Sequence, residues 1–350
     1  MSNTLQLGLA VAGGLVLAAV VAHSAWQSRK NQPRQPEPAP GGTSAAAPAG
    51  TESGRVEPTL DDPLGGGLVG LAPHEERKAG LDPLIDVIAT LALDTPVSGD
   101  AVLAALPATR RVGTKPFSVE GQPPGRGDFE PPVPGARYGA LQAGVQLANR
   151  AGALNEIEYS EFVVKTQALA DQLGATPDYP DMLNQVARAR ELDLFASTHD
   201  AQLSFTLRAS ASAWSPGYVQ QHAQRLGFTP GSIPGRLVLP SAQPLAPPIL
   251  TLSFDPQAAL AEDPEHQALR EIQLTLDVAH VERGERAFER LREVADALAA
   301  AMDGTVTDDN GHPLRPEAMD AVGQDLEKLY DALESREIAA GSALARRLFS

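Results

Sequence analysis

The stretch FERLREVADALAAAMDGTVTDDNGHPLRPEAMDAVGQDLEKLYDAL, residues 288–333, decides the fold. Its first half sets Phe288, Leu291, Val294, Ala295, Leu298 and Met302 on one stripe of a helix over 285–302, the spacing that buries a single helical face. GTVTDD (304–309) then predicts a short strand, and Asn310-Gly311 a turn, because glycine takes positive φ without steric cost. Pro316 opens a second helix ending near Ser335, since the first helical turn has no use for the missing N–H. Helix, strand, turn and helix in close succession suit a sheet with helices laid on one side.

Upstream, QLSFTLRA (202–209) alternates with period two, and a helix begins near Pro216-Gly217. RLVLP (236–240), ILTLSF (249–254) and IQLTLDV (272–278) read as further strands. Their parity turns Leu203, Phe205, Leu207, Leu252, Phe254, Leu274 and Leu276 toward the helices. Gln202, Ser204, Thr206, Thr251, Ser253, Gln273, Thr275 and Asp277 then occupy the opposite, open face. A similar order precedes it: strands at 84–93, 116–121 and 140–150, and helices at 96–105, 156–173 and 180–196. A shift of 129 residues lays Ala168, Leu169, Ala170 and Thr176 on Ala297, Leu298, Ala299 and Thr305. Residues 81–198 and 199–336 therefore read as two diverged copies of one α+β unit with antiparallel strands and helices on one face, and 337–350 as a C-terminal tail. In the first copy Ile88, Thr90, Gly144, Gln146 and Ala148 would line the open face.

The chain has 350 residues, enough for about two domains plus accessory segments. With 28 basic against 44 acidic residues, a net charge of −16 repels a phosphate backbone, which argues against nucleic acid as a partner. The absence of cysteine removes disulfide scaffolds, thiolate metal sites and cysteine nucleophiles, and fits a reducing compartment. From Leu5 to Ala22 there is no charge; extended to Trp26, the run gives roughly 33 Å of helix, long enough to cross a bilayer. Trp26 followed by Arg29, Lys30 and Arg34 is an interfacial aromatic with a basic flank, which predicts an outward N-terminus and cytoplasmic residues beyond. Residues 1–28 are thus expected to be a transmembrane anchor meeting the lipid bilayer through residues 5–26, and 29–80 a disordered Pro/Gly-rich linker. Within that linker RVEPTL (55–60) reads either as a short docking motif or as plain linker.

The stretch 288–333 resembles the C-terminal domain of the ZipA family of membrane-anchored cell-division proteins without a gap through the turn, and LGLAVAGGLVLAAVVAHSAWQSRK (7–30) resembles that family's anchor. The resemblance implies a split β-α-β fold whose open sheet face receives the C-terminal tail peptide of FtsZ, so that the protein tethers FtsZ to the bacterial inner membrane and helps assemble the division ring. On this chain the peptide-binding residues would be Gln202, Ser204, Thr206, Thr251, Ser253, Gln273 and Thr275. They depart from the family's apolar groove, and a polar face loses much of the roughly 25 cal/mol per Å² that apolar burial supplies. Three readings follow: weaker, more hydrogen-bonded binding of the same tail, transfer of the site to the first copy, or an interface between copies. A scaffold for another division or envelope protein is the alternative function. No catalytic, metal or cofactor constellation emerges: the seven histidines lack ligand spacing, and Asp308-Asp309-Asn310-Gly311 lacks the rest of a calcium loop.

Overall fold

The computed structural model describes residues 33–36, 80–243, 246–308 and 310–350. The expected span at 5–26, most of the linker and the 55–60 motif lie outside these residues. Among the described residues no helix is long and apolar enough to cross a membrane.

The architecture is mixed α+β with antiparallel sheets. The N-terminal part runs β1 (Asp86–Ser98), α1 (Gly99–Ala105), β2 (Arg111–Val112), β3 (Lys115–Gln122), β4 (Arg137–Gln146), the small hairpin β5 (Ala148–Asn149) and β6 (Gly152–Ala153), α2 (Glu156–Leu173), β7 (Ala175–Asp178) and α3 (Met182–His199). The C-terminal part runs β8 (Gln202–Ala209), α4 (Pro216–Arg225), β9 (Thr229–Pro230), β10 (Arg236–Leu239), β11 (Leu250–Ser253), α5 (Pro256–Leu260), β12 (Glu271–Asp277), α6 (Ala287–Met302), β13 (Gly304–Thr307), α7 (Pro316–Ser335) and α8 (Ala343–Leu348). The first sheet has the order β2-β3-β4-β1-β7 and the second β13-β8-β12-β11-β10-β9.

Each sheet places its first strand between that sheet's last strand before the long helix and the strand that follows the helix. The ends of those long helices correspond closely. Gly174 closes α2 and Asp303 closes α6, both in the left-handed region (φ 63° and 54°), and β7 and β13 start on the next residue. Local chemistry explains the boundaries. Asn155 starts α2 by accepting from Ile157 N and Glu158 N, both at 3.0 Å, while the Glu158 carboxylate accepts from Asn155 N at 3.2 Å, a complete capping box. Pro216 and Pro316 each stand in the first turn of a helix.

Three expectations need correction. The first strand does not stop near 93: β1 continues to Ser98, with its register to β4 shifting between Ala92 and Val97, and α1 begins at Gly99. Ser98 caps that helix, accepting from Ala101 N at 3.2 Å. The strand expected over 140–150 ends at Gln146, and Ala148 turns into the β5–β6 hairpin, wholly buried. Finally, 337–350 is not a loose tail. Ser342 caps α8 by accepting from Ala345 N, and Ile338, Ala345, Leu348 and Phe349 are buried because the segment seats between the two halves.

The seat is specific. Arg347 Nη2 lies 2.5 Å from Asp86 Oδ1 in the first half, Gln146 Nε2 donates to Arg347 O at 2.7 Å, and a ring nitrogen of His280 in the second half sits 3.1 Å from Phe349 O. Beside it Arg150 bonds Asp200 at 2.7 Å and Asp277 at 2.8 Å. Asp200 and Asp277 hold the Arg150 guanidinium above its ordinary pKa.

Candidate peptide-binding site

Backbone register gathers the anticipated residues on one face of the second sheet. Ser204 stands opposite Thr275 and Thr206 opposite Gln273 across β8–β12, while Thr251 faces Thr275 and Ser253 faces Gln273 across β11–β12. Gln202 stands opposite Asp277 at the end nearest the first half. The alternation along β12 makes the face open: Ile272, Leu274 and Leu276 are buried, whereas Gln273 is exposed and Thr275 half-buried. On the core side Phe205, Leu207 and Leu252 join them, with Phe288, Leu291, Leu298 and Met302 of α6 also buried in the core. Leu203 and Phe254 pack on this core only partly buried; Phe254 lies just past the end of β11.

Hydrogen bonds knit the face laterally. Thr275 Oγ1 donates to Thr251 O at 3.4 Å, Thr307 Oγ1 to Thr206 O at 3.1 Å, and Gln202 Nε2 to Asp277 Oδ2 at 3.3 Å. Ser204 Oγ is enclosed without a hydrogen-bond partner among the described residues, a condition that costs about 1–3 kcal/mol. Residues outside the anticipated set extend the face. Val238 pairs with Thr251 and Arg236 with Ser253, while Glu271 pairs with Arg208, which pairs with Thr305. Their signal was in the sequence: in RLVL (236–239) Leu237 is buried against the helices, so Arg236 and Val238 must point the other way. The site is therefore a plane of hydroxyls and amides with one apolar contributor, Val238, and charged groups at its margins: Arg236, the Arg208–Glu271 pair and Asp277.

The corresponding face of the first sheet is covered in part by the chain itself, with Thr90 and Ser118 left exposed. Register pairs Asp86 with Gln146, Ile88 with Gly144 and Thr90 with Gln142, and β3 adds Ser118 and Glu120. Leu81 lies on Gly144 so closely that a Cβ there would come within 2.4 Å of Leu81 Cδ2, and Leu81 N donates to Glu120 Oε1 at 2.9 Å. Gln142 Nε2 donates to Glu120 Oε2 at 2.7 Å, with both side chains buried. At the far end Arg347 covers Asp86, whose carboxyl is pushed above the usual carboxylate range by burial despite the guanidinium. Of the residues expected to line this face, Ile88 is half-buried and Thr90 exposed, whereas Gly144, Gln146 and Ala148 are buried. Leu81, the hairpin and α8 carry no period-two signal, which is why parity alone misplaced them.

The adjacent polar pairs His199-Asp200 and Asp308-His312 are held by structural contacts. Asp200 is engaged by Arg150, and a ring nitrogen of His199 lies 2.8 Å from Phe195 O at the end of its own helix. Asp308 accepts from Asn310 N at 2.9 Å and His312 N at 2.7 Å; these backbone donors hold its carboxyl low and shape the turn. Among the described residues no three His, Asp or Glu side chains converge as metal ligands.

No curated protein matches this chain. Among solved structures, one titled "Structure of FgChi7B" aligns at 13% identity over 63% of this chain and 46% of that one, with a TM-score of 0.17. The chain thus spans under half of that structure, and a likeness this low carries no argument. A family model does match, over β12, α6, β13 and the start of α7. Residues 260–325 fit the model described as ZipA, C-terminal FtsZ-binding domain, and that match supports a ZipA-family protein.

Proposed function

We propose that this chain is a non-enzymatic tether that binds the C-terminal tail of FtsZ on the open face of its second sheet and holds it at the bacterial inner membrane during assembly of the division ring. The observation that carries the reading is where the family match falls. Residues 260–325 include the central strand β12, whose Gln273 and Thr275 lie in the middle of the uncovered face. An extended peptide laid there would be gripped by hydroxyl and amide hydrogen bonds, with Val238 supplying an apolar contact and Arg236 a cation. Each such bond contributes only about 0.5–1.5 kcal/mol net, so single contacts are weak and many tethers facing one polymer supply the avidity.

In this reading the two halves are a tandem pair of split β-α-β units, residues 81–198 and 199–336, and residues 5–26 span the membrane with the N-terminus periplasmic and both units cytoplasmic. The repeated strand order and the paired left-handed helix ends support the duplication. Partial covering of the first sheet by Leu81 and Arg347 favours the second unit as the binding copy. The deciding experiment is a pull-down of the full chain with FtsZ, with and without the FtsZ tail. Binding that disappears with the tail supports the proposal, and undiminished binding to tailless FtsZ refutes the tail site. The polar chemistry of the face favours one rival, a scaffold for a different division or envelope protein. A recovered partner set lacking FtsZ would establish that rival.

A further inference from the structure

The backbone at Ala213–Ser215 behaves as a strand edge with one side taken. Trp214 and Leu269 exchange two hydrogen bonds of 2.8 Å in an antiparallel bridge. Ala213 C=O and Ser215 N–H consequently point the other way, and with residues 33–36 in place both residues are wholly buried. Left unpaired they would cost free energy, because a buried backbone group needs a partner. The partner comes from far away in the chain: Arg34 N donates to Ala213 O at 2.7 Å and Ser215 N donates to Arg34 O at 2.9 Å, forming a parallel bridge with Trp214.

The Arg34 side chain is received as specifically as its backbone. Nη1 donates to Met302 O at 3.1 Å and Nη2 pairs with Asp303 Oδ2 at 2.9 Å. Both acceptors stand at the C-terminus of α6, where the helix dipole attracts a cation; Met302 O also accepts from Trp214 Nε1 at 2.8 Å. Pro33 and Pro36 bracket the segment and hold it extended before it docks, which lowers the entropy lost on docking. The segment itself brings no large apolar side chain and no length of ladder, so its attachment is a short one.

We propose that residues 33–36 are a releasable docking element: an Arg-containing extended segment that adds to the Trp214 edge of the second unit and divides the tether into two settings of reach. Docking depends only on the contacts above; its effect on reach rests on reading 5–26 as a membrane span. With the element docked, the eight residue steps from Trp26 to Arg34 hold the Arg34 site within about 29 Å of the span. With it released, the next attachment to the folded part is Leu81, 55 residue steps from Trp26, a chain length of at most about 200 Å. The same chain then works either as a short stalk or as a long line.

The test is hydrogen exchange on the full chain in lipid nanodiscs, read at the Ser215 amide, for wild type, Arg34→Glu and Arg34→Pro. Arg34→Glu sets a carboxylate against Asp303, and Arg34→Pro removes the N–H given to Ala213. Both changes leave the core untouched. The expected result has two parts: in wild type, Ser215 exchanges by local opening faster than the β12 amides, and in both variants Ser215 speeds up more than tenfold while the β12 amides keep their rates. Unchanged Ser215 exchange in both variants overturns the proposal. So does an equal acceleration of Ser215 and β12, which would make the segment part of the fold rather than a releasable element. Recovery of the chain in nanodiscs is scored on the same samples. A chain that stays out of the bilayer yet shows the Ser215 response keeps the docking element and removes the span.

Discussion

Replacing Arg347 with alanine removes the cation from a carboxylate that has no access to water. The Asp86 side chain is 0% exposed and Arg347 23% exposed. Asp86 accepts from Arg347 Nη2 at 2.5 Å and from Asp82 N at 2.8 Å. Deleting one partner of a buried pair costs about 3–5 kcal/mol. Water reaching the guanidinium side lowers the expectation here to roughly 2–4 kcal/mol, still a large share of a typical domain stability. Converting Asp86 to asparagine in the same chain removes the stranded charge, so the double variant is expected to be more stable than Arg347→Ala alone. The pH dependence has a definite sign. Burial raises the folded-state value of Asp86 above 3.8, so within that window the folded state binds more protons than the unfolded one. Stability from this group therefore grows as pH falls through the raised value toward 3.8, the reverse of an ordinary surface-paired aspartate. Without Arg347 the effect enlarges, so the deficit at pH 7.5 should shrink as the pH is lowered toward 3.8. The assay is urea unfolding of the chain from residue 29 onward, which retains every described residue. Circular dichroism follows both halves, and Trp214 fluorescence, from the one tryptophan left, follows the second. A loss below about 0.5 kcal/mol at pH 7.5, or a deficit that grows as the pH falls toward 3.8, would refute the clasp as the source of stability.

Arg150→Ala strips Asp200 and Asp277 of their common cation; with all three groups about a quarter exposed, a loss of about 1–2 kcal/mol is expected. The dichroism and fluorescence transitions should then separate, and coincident transitions would show that Arg150 does not couple the halves. Asn155→Ala removes the capping box of α2 and should cost about 1 kcal/mol in a thermal melt, with no loss at all refuting the cap's role. Thr251→Arg combined with Thr275→Arg crowds two cations on adjacent strands of the open face; binding of an FtsZ tail peptide should fall more than tenfold by fluorescence anisotropy while the melting temperature stays within a few degrees. Unaltered anisotropy would place the peptide elsewhere.

Much of this fold could be read from side-chain period. The stripe Phe288, Leu291, Val294, Ala295, Leu298 and Met302 is buried as its spacing required, and the parity of 202–209 and 272–278 sorted core from open face correctly at nearly every position. Parity also implied Arg236 and Val238 on the open face once 236–239 was recognised as a strand. It failed where the chain left its period: at the shift between Ala92 and Val97, at the Gln146–Ala148 break, and over 337–350. In those places long-range partners, not neighbours in sequence, set the conformation.

Arg34 shows the same division. By itself the sequence determined two amphipathic α+β patterns, a polar sheet face, an apolar N-terminal run and a basic residue just after it, because hydrophobic period and charge are local properties. Only the tertiary structure decided that Arg34 reaches Asp303, that Leu81 and Arg347 cover part of one sheet face while the other stays open, and that the C-terminal helix binds the halves together. Those outcomes depend on unpaired backbone edges and buried charges meeting partners that stand as far as 269 residues away, and no local pattern encodes such a meeting.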